Sequence, residues 1–154
     1  MPAFHFSLDR VLRWRALELA TEQAKLEQIV REQVRLQALR AQWSSEKSRL
    51  IASLTTLPDL CGEDLRAATA HNIFLKRKLE RLIELQVKCE HALAEQRKKF
   101  REAKQRVRLL EQLKERRFAE WRYLQQAQLE TLATESYLAN QARKMGLGHV
   151  DSGG

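Results

Sequence analysis

The sequence predicts an all-α fold: a long antiparallel two-helix coiled-coil hairpin, with helix two longer than helix one. Three observations predict it. Between Pro2 and Gly146 there is one proline, Pro58, and one glycine, Gly62, close together in Leu57-Pro58-Asp59-Leu60-Cys61-Gly62-Glu63-Asp64. Proline lacks the N–H a helix interior needs and glycine adds backbone entropy, so one breaker cluster between two unbroken stretches marks a turn. On both sides of it apolar residues recur in alternating steps of four and three, the repeat of a left-handed coiled coil. The composition agrees: 31% charged, 6% aromatic and rich in Leu, Ala, Glu, Gln, Lys and Arg.

Helix one is expected over about 7–57, with Ser7 or Asp9 as its cap. Stepping from Leu8 gives Leu8, Leu12, Arg15, Leu19, Glu22, Leu26, Ile29, Gln33, Leu36, Arg40, Trp43, Lys47, Leu50, Leu54 and Leu57. The phase holds to the proline. Arg15, Glu22, Arg40 and Lys47 interrupt this seam, either setting the register or marking where the strands separate.

The turn is expected at 58–63 and helix two at about 64–144, within a coiled coil spanning 1–145. From Leu65 the same stepping gives Leu65, Ala68, Asn72, Leu75, Leu79, Leu82, Gln86, Cys89, Leu93, Gln96, Phe100, Ala103, Val107, Leu110, Lys114, Arg117, Trp121 and Leu124. Past Leu110 the seam shifts, because Lys114 and Arg117 occupy it while Leu113 and Phe118 lie one place off. Gly146, Gly148 and Asp151-Ser152-Gly153-Gly154 are expected to end the helix and leave 146–154 as a flexible tail.

At ~1.5 Å per residue helix one is roughly 75 Å long and helix two roughly 120 Å. Folding about position 60 sets Leu8 opposite roughly residue 112, by equal rise on both strands. The remainder of helix two then overhangs and presents Phe118, Trp121, Leu124, Leu129, Leu132 and Leu138 without an intramolecular partner. For Trp121, partner contact and simple packing both remain open.

Several function classes are poorly served by these residues. There is no glycine-rich phosphate loop and no nucleophile elbow, so no catalytic residue and no cofactor is expected. Cys89 and His91 stand two apart and face different directions on a helix, so no metal site is expected either. Cys89 lies on the seam as a small buried hydrophobe and Cys61 lies in the turn; both read as reduced thiols of a cytoplasmic protein. No stretch is apolar enough for a transmembrane segment, and residues 1–30 do not read as a secretory signal.

The net charge of +8 is concentrated between Arg97 and Arg117, where ten basic residues face three glutamates, a local +7. Such a block meets an acidic protein surface, anionic lipid or nucleic acid, or is simply a solvated face. Aromatics for base stacking are nearly missing from it, Phe100 being on the seam, so no nucleic acid partner is expected.

The opening Phe4-His5-Phe6-Ser7-Leu8-Asp9-Arg10-Val11-Leu12-Arg13-Trp14-Arg15 resembles the start of the flagellar export protein FliJ family, F-x-F-x-L-x-x-[VL]-L-x-x-R. Leu110-Glu111-Gln112-Leu113-Lys114-Glu115-Arg116-Arg117 is similar to that family's basic L-E-x-L-K-E-R segment. Where family members often carry a late acidic pair, this chain has Ala133-Thr134-Glu135. The resemblance spans roughly 4–140 and implies an antiparallel coiled coil similar to the γ stalk of F-type ATPases. It implies a non-enzymatic stalk and chaperone-escort component of flagellar type III export. As partners it implies the hexameric export ATPase of FliI type, the export gate protein of FlhA type and export chaperones, with the protein cytoplasmic and peripherally associated with the inner-membrane apparatus. The injectisome stalk proteins of YscO type are the nearest alternative; a basic hairpin binding nucleic acid is the other.

Carried over residue by residue, the resemblance places ATPase contacts at Val11, Arg13, Lys114, Arg116, Arg117 and Trp121, at the end bearing both termini. It places export-gate contacts at Trp43, Leu50, Leu75, Leu79 and Gln86, nearer the turn.

Overall fold

A computed structural model describes residues 2–56 and 62–151, with side chains described as far as residue 146. It contains two helices, α1 (Asp9–Thr56) and α2 (Gly62–Asp151), and no strand among the described residues. Most of the expected turn lies outside the described residues; Gly62 and Glu63 already belong to α2. Gly146 has no positive φ, the backbone setting by which glycine commonly ends a helix, and α2 runs through it to Asp151.

The helices pack against each other in two compact units, Trp14–Arg106 and the pair Met1–Arg13 with Val107–Gly154. We call these the central and terminal units.

In the central unit the pairing is antiparallel. Gln96 Nε2 donates to the Glu22 backbone carbonyl at 3.1 Å, the Cys89 thiol points at the Ile29 carbonyl at 3.8 Å, and Arg40 Nη1 donates to Gln86 Oε1 at 3.1 Å. As the α1 number rises, the α2 number falls. Leu36, Leu75, Leu82, Cys89, Leu93 and Ala103 are buried here, all on the heptad steps read from the sequence. Leu36, Leu82 and Cys89 form one cluster, against which Ile29, Leu39 and Trp43 pack. Burying each of these leucines stabilises the pair by about 1.5–3 kcal/mol relative to exposure.

Polar seam residues are accommodated rather than expelled. Gln96 is buried and also donates to the Glu22 carboxylate. Glu18 accepts from Arg15 at 2.9 Å and faces Arg106 at 3.7 Å. Arg40 is the exception: it is exposed, and Leu39 takes the half-buried place beside the core. The long Arg40 side chain reaches Gln86 from outside, which leaves its charge in water.

In the terminal unit the pairing is again antiparallel, with Asp9 opposite Lys114 and Ser7 opposite Arg117. The chain before α1 is not helical. It turns into the helix through Asp9 N–H to the Phe6 carbonyl at 3.1 Å and Leu12 N–H to the Leu8 carbonyl at 2.9 Å. Asp9 sits in the first helical turn, where a carboxylate complements the helix dipole. Phe6 and Val107 are buried.

Candidate functional site

Within the terminal unit, the residues before α1 form a strap along α2. Phe6 is the anchor, 4% exposed. Arg117 fixes the strap twice: its Nη1 donates to Ser7 Oγ at 3.0 Å, and its guanidinium lies 5.8 Å from the Phe6 ring centroid. Phe4 then packs edge-on against Phe118, centroids 5.2 Å apart, and tilted against Trp121 at 5.9 Å. Phe118 and Trp121 stack on each other at 5.9 Å. Edge-to-face and offset pairs at these distances suit the ring quadrupoles.

This corrects one expectation. Phe118 and Trp121 are not without an intramolecular partner, because Phe4 covers part of both. The expectation holds further along, where Leu124, Leu129, Leu132 and Leu138 are exposed, together with Tyr123 and Tyr137. Ala119, Glu120, Tyr123 and Leu124 line a shallow groove on this surface.

The residues expected to contact an ATPase divide into two kinds. Lys114, Arg117 and Arg13 are tied into the unit. Lys114 Nζ donates to Asp9 Oδ1 at 3.4 Å and Arg13 pairs with Asp9 Oδ2 at 2.9 Å, so one carboxylate serves two cations. The Lys114 hydrogen bond chiefly holds the Asp9 carboxyl below its usual range, with the charges of Lys114 and Arg13 adding to it against some desolvation. Val11 and Arg116 are exposed, and Arg116 makes no ion pair among the described residues. Trp121 is half-buried in the aromatic cluster.

The expected gate residues lie in the central unit. Leu75 is 2% exposed, so its side chain serves the core. Trp43, Leu50 and Leu79 are half-buried, and Gln86 is engaged by Arg40. The Lys78 ammonium lies over the Trp43 ring at 5.1 Å and over Phe74 at 4.5 Å.

The strap escaped the heptad reading because an irregular segment has no period to count. Its signal was the spacing of Phe4 and Phe6, two large aromatics ahead of the first helical turn.

Among the described residues no group of three or more His, Cys, Asp or Glu is placed to hold a metal ion. Among the described residues no helix is long and apolar enough to cross a membrane. Comparison with protein-family models, curated proteins and solved structures found no match.

Proposed function

We propose that this chain is a non-enzymatic stalk of a type III protein-export apparatus, of the FliJ kind, whose terminal unit enters a hexameric export ATPase. The observation that carries the reading is the run of exposed apolar side chains on α2 beyond Trp121, beside the cations at 114–117. Leaving Tyr123, Leu124, Leu129, Leu132, Tyr137 and Leu138 in water forgoes the burial free energy that a surrounding surface supplies. A ring pore surrounds a helix, and acidic loops lining it complement Arg116 and its neighbours. The resemblance of Phe4 through Arg15 to the FliJ opening supports this reading, with an injectisome stalk of YscO type as its alternative.

In the same reading the central unit meets the export gate protein through Trp43, Leu50, Leu79 and Gln86, and export chaperones are further partners. The protein then works at the cytoplasmic face of the inner-membrane apparatus.

ATP hydrolysis by the purified export ATPase, with and without this protein, tests the proposal. Arg116→Glu is the informative variant, because Arg117 also holds the strap and its reversal disturbs the fold locally. The wild-type chain should stimulate hydrolysis, and Arg116→Glu should reduce stimulation several-fold while leaving helicity unchanged. Equal stimulation by both proteins at moderate salt contradicts the assignment.

A further inference from the structure

Two polar layers of the central seam are treated in opposite ways. At one, Gln96 donates to the Glu22 carbonyl at 3.1 Å and also to its carboxylate, so a buried amide is paired across the helices. The other lies toward the turn. The contacts of Glu22 with Gln96 and of Ile29 with Cys89 fix the register, in which seven residues forward on α1 match seven back on α2. Such steps from Ile29 and Cys89 pass Leu36 with Leu82, then Trp43 with Leu75, and reach Leu50 with Ala68. Between the last two pairs stand Lys47 and Asn72, both half-buried. The Asn72 Oδ1 atom is buried and has no hydrogen-bond partner. An unpaired buried carbonyl oxygen keeps its desolvation penalty, which is relieved when the helices part and water reaches it.

Little holds the helices together beyond that layer. No described residue of α1 after Leu36, and none of α2 before Leu75, is buried. Ile51, Leu65, Ile73 and Phe74 are all exposed. Among the described residues, hydrogen bonds and ion pairs between the helices reach no nearer the turn than Arg40 with Gln86. Past that point the hydroxyls turn back on their own helix. Ser53 Oγ donates to the Leu50 carbonyl at 2.8 Å, Thr56 Oγ1 to that of Ala52 at 2.8 Å, and Thr69 Oγ1 to that of Leu65 at 2.7 Å. Six of the thirteen residues from Ser44 to Thr56 are Ser or Thr, which form helices less readily than Ala or Leu and compete for backbone groups. A stretch with few buried apolar contacts opens at lower free energy than the core beside it.

We infer that the layer of Lys47 and Asn72 is a built-in opening point. α1 beyond Lys47 and α2 before Asn72 separate and close as one unit, while Leu36, Leu75 and Leu82 hold the rest of the central unit paired. Separation gives Asn72 Oδ1 access to water and uncovers Leu50, Leu54 and Ala68. The central unit therefore has a firm part and a compliant part, and an unsatisfied amide marks the boundary. The inference invokes no partner and does not rest on the export reading.

Amide hydrogen exchange of the full chain, read by mass spectrometry at neutral pH and corrected for intrinsic rates, tests it. Peptides from 44–56 and from 62–74 should be protected alike, and both should exchange at least about ten-fold faster than peptides from 78–104. Asn72→Leu fills the layer without an unpaired group. It should slow exchange in both turn-proximal stretches by about ten-fold, the scale of one buried unsatisfied group, and leave 78–104 unchanged. Equal protection of the turn-proximal and central stretches overturns the inference. So does an Asn72→Leu chain in which only one of the two stretches slows, neither slows, or 78–104 slows to the same extent.

Discussion

Phe4 and Phe118 pack edge to face with their ring centroids 5.2 Å apart, although Phe4 precedes α1 and Phe118 lies deep in α2. The contact means that the apolar face of α2 does not become bare where α1 begins. The strap covers part of Phe118 and part of Trp121, and the face left wholly without it begins beyond them. A partner of the terminal unit therefore meets a surface built from the strap and α2 together.

Removing the strap's anchor should cost more than removing its tip. Phe6→Ala, at a buried site, should destabilise the protein by about 3 kcal/mol, the lower end for a buried phenylalanine. Phe4→Ala should cost about 1 kcal/mol, the scale of one aromatic pair. Thermal unfolding followed by circular dichroism measures both, and the Phe4 variant should also shift Trp121 emission to longer wavelength. Equal costs would contradict the assignment of anchor and tip.

The heptad core should be sensitive and the exposed stretch indifferent. Leu82→Ala removes one of the two most completely buried large side chains and should cost about 2–5 kcal/mol. Leu138→Ala, at an exposed site, should change stability by less than about 0.5 kcal/mol. The same melting curves compare them directly.

Glu22 and Gln96 should behave as a pair. Gln96→Leu leaves the Glu22 carboxylate facing an apolar neighbour and should cost about 1–3 kcal/mol. Adding Glu22→Leu should restore that loss or exceed it, because an apolar pair fills the seam without unpaired groups. A double-mutant cycle in chemical denaturation reads the coupling. Additive losses in the double variant would contradict the pairing.

Asp9 should make stability depend on pH in one direction. Its folded pKa is depressed, first by the Lys114 hydrogen bond, so its contribution is present above the unfolded carboxyl's pKa of about 3.9. It is lost as pH falls through the lower folded value. Asp9→Asn should therefore melt below the wild type at neutral pH and together with it in strong acid. Asp9 is on the surface, so added salt should narrow the neutral-pH gap.

The heptad count located the central unit's core because every step that places Leu36, Leu75, Leu82, Cys89, Leu93 and Ala103 on one face follows from helical period alone. It also put Leu65 and Leu124 on the seam, yet both are exposed. Period identifies a face but not whether a partner strand reaches it, and α1 begins only at Asp9, too late to reach Leu124. Arg40 was placed on the seam by counting, but a guanidinium gains more from water and Gln86 than from the core. The surroundings of Trp43 were less legible still. It stood out as a seam aromatic, but the Lys78 ammonium over its ring is brought there only when α2 is laid against α1.

The measurement that tests the central claim most directly is site-specific photo-crosslinking of the full chain to the assembled hexameric export ATPase. One photoreactive residue replaces Leu132 in the exposed stretch of α2, and in a second protein one replaces Ile51, an exposed position of the central unit. The account predicts ATP-dependent crosslinks to the ATPase from position 132 and none from position 51. Crosslinks from 51 alone, or none from either while the ATPase hexamer is intact, would contradict it.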